Sequence, residues 1–62
     1  MTYKNASGSK AVAVSEQEGR FFARYVINVE GYHNDHPHGL VVESKWFSSM
    51  KAAEKYATKA LN

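Results

Sequence analysis

The sequence predicts an α+β domain, a three-stranded antiparallel meander packed against one C-terminal helix in the order β-β-β-α. Three observations carry that prediction. Arg20–Glu30 alternates apolar and polar residues with a period of two, Leu40–Phe47 is a second β-rich run, and an apolar stripe of helical period follows it directly. In that last segment Met50, Ala53, Tyr56, Ala57, Ala60 and Leu61 fall on one side, and Lys51, Lys55, Thr58 and Lys59 on the other. Alanines within the stripe leave little bulk, so the helix is predicted to lie close against the sheet. Ser48 or Ser49 supplies the cap, because a serine oxygen accepts an orphan N–H of the first turn. Neither serine has a Glu or Gln placed to complete a capping box.

Taken in order, Met1–Lys10 is polar and contains Gly and Ser, and is predicted as a flexible segment preceding a single domain over residues 11–62. Tyr3 is its one residue suited to tuck back onto a core. Ala11–Ser15 is a short strand and Glu16–Gly19 a compact turn ending in glycine. In the central strand Arg20–Glu30, one face carries Phe21, Ala23, Tyr25, Ile27 and Val29; the other carries Phe22, Arg24, Val26, Asn28 and Glu30. Only the first is uniformly apolar, so it is placed against the helix. Gly31–Gly39 reads as a loop bracketed by glycines. In the third strand Leu40, Val42, Ser44 and Trp46 are predicted to point inward, and Val41, Glu43 and Lys45 outward.

Composition narrows the function. A chain of 62 residues is one domain, with no cleft between two. At this size only about 60% of the unfolded surface is buried, so stability of a few kcal/mol is expected. The absence of cysteine excludes a disulfide framework and thiolate-ligated zinc. Ala11–Ser15 is too short for the apolar core of a signal peptide, and no run approaches the roughly 20 apolar residues of a membrane span. The expectation is a soluble, cytoplasmic chain. Its net charge of +2 and pI near 9.1 suit an acidic partner without demanding one. No serine stands in a nucleophile-elbow context, no glycine-rich loop cradles phosphate, and the carboxylates are scattered over turns and outer faces. The chain therefore reads as a binding protein without a cofactor rather than an enzyme.

Gly19-Arg20-Phe21-Phe22-Ala23-Arg24-Tyr25, followed by Trp46-Phe47-Ser48-Ser49 and Ala52-Ala53-x-x-Tyr56-Ala57, resembles two related modules. One is the DNA-binding domain of plant ethylene-response factors; the other is the arm-site-binding domain of phage tyrosine integrases. The resemblance spans about residues 11 to 61. It implies that the sheet face away from the helix enters the DNA major groove. On that face it implies Arg24 as a guanine reader, Arg20 and Lys45 as phosphate contacts, and Asn28 as a further polar contact. The chain departs from the family pattern at Phe22, Val26 and Val41, where basic or polar readers are usual, and at Glu43.

Those departures define the alternative. Phe22, Val26 and Val41 form an apolar patch that marks a protein interface or a homodimer face. In size and character the chain resembles the small proteins that phages use to bind and inhibit host proteins. The plainest account of the patch is that the first ten residues fold over it. Two further features have simple readings. His33, His36 and His38, with Asp35, have metal-ligand chemistry, but their spacing fits no defined site and the segment reads as a solvated hairpin tip shaped by Asn34-Asp35 and Pro37. Lys51, Lys55 and Lys59 form a ridge that reads as the wet face of a surface helix.

Overall fold

The computed structural model describes residues 1–62: strands β1 (Thr2–Lys4), β2 (Ala11–Gln17), β3 (Arg20–His33) and β4 (His36–Phe47), then helix α1 (Met50–Leu61). The strands form one antiparallel meander in the order β1-β2-β3-β4. The predicted sheet-plus-helix architecture holds, with four strands in place of three. The first residues are not a loose segment: Met1 and Val14 exchange main-chain bonds of 2.7 and 2.8 Å, and Thr2–Lys4 continue that ladder. Asn5 closes the return to β2, its side-chain oxygen accepting from the Lys10 N–H at 3.1 Å and its N–H donating to the Lys10 carbonyl.

Two tight turns set the meander. Glu18 and Gly19 both have positive φ, 52° and 78°, as do Asn34 and Asp35, 51° and 62°. Left-handed backbone at both central positions matches the right-handed twist of the strands it joins, which is why Gly, Asn and Asp occupy such turns. The expected loop Gly31–Gly39 is therefore mostly strand, with only Asn34 and Asp35 outside β3 and β4.

The core lies between sheet and helix. Val12, Val14 and Ala23 meet Ala53 and Ala57, and Phe21, Tyr25, Phe47, Met50, Tyr56, Ala60, Leu61 and Tyr3 close its margins. The helical stripe is as predicted, and small side chains on both layers allow the close approach. Ser49 is the N-cap, its Oγ accepting from the Ala52 N–H at 3.2 Å. The central strand also presents Phe21, Ala23 and Tyr25 to the helix as expected.

From Glu43 to Phe47 the faces of β4 are reversed from expectation, whereas Leu40 and Val41 keep theirs, opposite Ile27 and Val26. Phe47, not Trp46, points to the helix and lies 5.4 Å from Tyr56, ring centre to ring centre. Lys45 and Glu43 share that side: Glu43 accepts the Tyr56 hydroxyl at 2.6 Å, and the Lys45 ammonium stands 5.5 Å from the Tyr56 ring centre. Trp46 is on the other side, 4.9 Å from Phe22 and 46% exposed. The cause is a broken ladder. Asn28, Val29 and Glu30 stand against Gly39 alone, and Val42 then has no residue opposite it. The two irregularities offset the strands by a net one residue from an uninterrupted hairpin, and a one-residue offset exchanges every side chain between faces.

The same break bends the hairpin. Asn28 has φ 53°, and beyond it the tip of β3–β4 folds back across the outer face of the sheet. There Thr2 Oγ1 donates to the Asp35 carbonyl at 2.7 Å, the Tyr32 hydroxyl to the Gly8 carbonyl at 3.1 Å, and Lys4 stands 4.1 Å over the Tyr32 ring. Gly39 is required at the bend: a Cβ there would meet the Ile27 carbonyl oxygen at 2.6 Å and that of Asn28 at 2.9 Å. Beneath this cover Ala11 and Val26 are buried, and so is Pro37 of the tip.

Candidate functional site

The outer face thus has a closed end and a bare end, and the sequence-predicted site residues divide between them. Arg20, Phe22 and Arg24 stand at the bare end on β3, as predicted. Arg20 places its guanidinium 4.8 Å over the Trp46 ring, and Trp46 in turn packs on Phe22, so the three form one stack. Arg24 lines a cleft of about 290 Å³ between the sheet and the hairpin tip, with Thr2, Ala13, Phe22, Asp35 and His36. Val26 leaves the site: it is only 1% exposed, because the tip lies over it. Lys45 leaves it too, being opposite Ala23 on the helix side, and Asn28 sits in the bend as backbone geometry rather than beside Arg24. Val41 remains exposed, opposite Val26 on β4.

What alternation missed is the edge. Of the exposed large hydrophobic side chains, Leu40 (60% exposed), Val41, Val42 and Trp46 all belong to β4. This strand has no neighbour on its outer side. Which of its main-chain groups are free follows from the ladder. Val14 spends its N–H and carbonyl on Met1, so its neighbours Ala13 and Ser15 serve β3, and their partners Arg24 and Phe22 are thereby used. Phe21 and Ala23 then serve Phe47 and Lys45, which leaves the N–H and carbonyl of Ser44 and Trp46 pointing away from the sheet. The run from Leu40 to Phe47 contains neither proline nor glycine, and Lys45 is its only basic residue. Such an edge is a template for another strand. No local signal in the sequence reveals it, since nothing between Leu40 and Phe47 distinguishes a covered strand from an outermost one.

On the helix side, burial and the bond to Glu43 raise the pKa of Tyr56 well above the usual phenol range. Tyr3 is raised in the same direction by burial and by Glu54, whose Oε2 accepts its hydroxyl at 3.3 Å. These tyrosines tie the helix to β4 and β1 and carry no sign of chemistry. At the tip, the His33 and His38 rings lie edge-on, 6.0 Å apart, and nowhere do three His, Asp or Glu side chains gather in a metal-holding group. No helix is long and apolar enough to cross a membrane. Comparison with family models, curated proteins and solved structures gives no match.

Proposed function

We propose that this chain is a non-enzymatic protein-interaction module that takes its partner along the free edge of β4. One observation carries the reading: Leu40, Val41, Val42 and Trp46 expose apolar surface on the strand whose outer edge is unpaired. A strand added there gains main-chain hydrogen bonds, and the side chains of β4 supply the contacts that choose the partner. The Phe22–Trp46 pair under Arg20 extends that surface onto the outer face, with aromatic and arginine side chains of the kind that anchor interfaces. The Phe22 and Val41 of the predicted apolar patch stay in this surface, and Val26 is replaced by Val42 and Trp46.

DNA binding through the outer face is the second reading. It is favoured by Arg20 and Arg24 sharing the bare end while Glu43, the carboxylate that would oppose a phosphate backbone, lies on the helix side. Capture from cell lysate with and without nuclease, at low and high salt, separates the two. The edge reading expects one protein recovered whatever the nuclease treatment, little changed by salt, and lost on Val42→Lys. Recovery that disappears with nuclease, falls steeply with salt and is lost on Arg24→Ala would put DNA in its place.

A further inference from the structure

We infer that the strand that pairs with β4 is β4 of a second copy, in antiparallel register about a twofold axis through Ser44. This rests on the edge reading above and names its partner. The free N–H and carbonyl groups admit only some registers. Ser44 and Trp46 point their main chains outward, whereas Lys45 and Phe47 are committed to β3. A twofold axis at Ser44 lets Ser44 exchange both bonds with its own copy, and sets Val42 against Trp46 of the second copy on either side. Axes at Glu43 or Lys45 would oppose groups already bonded to β3. They would also place like charges face to face, which destabilises a sheet.

The side chains agree with the main chain. With the axis at Ser44, Glu43 stands opposite Lys45 of the second copy and Lys45 opposite its Glu43, so both charge pairs are complementary and both lie on the helix side. Trp46, on the outer face, stands opposite Val42 of the second copy in this register, an aromatic against a β-branched residue. Beyond this stretch the bulge at Val42 and the bend at Gly39 turn β4 away, which limits the shared ladder to Val42–Trp46. The product is an eight-stranded sheet, four strands from each copy, with both helices on one side. The other side carries both stacks of Phe22, Trp46 and Arg20.

Sedimentation across a wide concentration range tests the register. The wild type should pass from monomer to dimer as concentration rises. Glu43→Lys sets two lysine pairs face to face and Lys45→Glu two glutamate pairs, and each change should weaken dimerisation by about tenfold or more. An equimolar mixture of the two variants restores both attractive pairs and should dimerise again, an outcome that damage to the fold cannot imitate. Ser44→Pro, which removes an outward N–H and leaves the bonds to β3, should be monomeric with an unchanged circular dichroism spectrum. A wild type that stays monomeric, a mixture that stays monomeric, or a dimer indifferent to Ser44→Pro overturns self-pairing. The wider edge reading is judged independently, by whether Val42→Lys abolishes nuclease-resistant capture of a different protein.

Discussion

Val26 and Phe22 lie four residues apart on the same strand and the same face, yet one is sealed and the other supports an exposed stack. The difference is what returns over them. Above Val26 the hairpin tip closes down, held by Thr2 to Asp35 and by Tyr32 to Gly8. Beside Phe22 the tip leaves an open cleft, Trp46 and Arg20 stack against it, and β4 ends the sheet. Alternation along a strand assigns a side chain to a face; it does not say whether that face is covered. A cover contributed by residues far along the chain can turn half of one face into core and leave the other half for a partner.

The largest effect expected from this contrast is that of Val26→Asp. A carboxylate placed under the tip loses its hydration where Val26 is now sealed, so the change should cost more than about 4 kcal/mol and leave little folded protein. Val41→Asp, directly opposite on the exposed edge, should cost within about 0.5 kcal/mol. Urea midpoints decide; equal losses at the two positions would mean that the tip does not seal the face.

Gly39→Ala should come next. Its Cβ would strike main-chain oxygens, so the bend must shift, at a cost of about 1–3 kcal/mol. Gly31→Ala meets no atom within 4 Å and should change stability by no more than about 0.5 kcal/mol. The same pair examined by hydrogen exchange should show that Gly39→Ala loosens protection at Val29, whose N–H donates to the Ser9 carbonyl, before it loosens the helix side.

Trp46→Ala sharpens the bare end. A tryptophan buried in the core, as simple alternation would have it, costs about 3–5 kcal/mol to truncate. Half-exposed and resting on Phe22, this one should cost about 1–2 kcal/mol, and it should affect binding more than stability. A loss above that range would place it in the core after all.

The smallest effect concerns the opposite side of β4, where Tyr56 holds Glu43. A phenol whose folded pKa is raised favours the folded state while it is protonated in both states, and that stability declines once pH climbs past the unfolded value near 10. Wild type should therefore lose stability from about pH 10 upward, and Tyr56→Phe should lose less over the same window. Denaturant midpoints at a series of pH values from neutral to strongly alkaline are the measurement. Identical slopes for the two proteins would show that burial and the bond to Glu43 do not raise the Tyr56 pKa.

Much of this was legible in the residues alone. The stripe from Met50 to Leu61, the serine cap, the inward Phe21, Ala23 and Tyr25, and the turn at Gly19 each depend on neighbours a few positions away, and local chemistry decided them. Three things were decided only when distant segments met. β1 became a strand because β2 offered a free edge and Tyr3 could reach the helix at Glu54, not because Thr2–Lys4 has a strong pattern of its own. The faces of β4 followed from a net one-residue offset spread over Asn28–Glu30 and Val42, which no alternation count contains. The burial of Val26 and the exposure of Trp46 followed from where the tip came to rest. Periodicity is a property of one strand, whereas register, cover and edge belong to pairs of strands; the first is written in the chain, and the others come into being only when it folds.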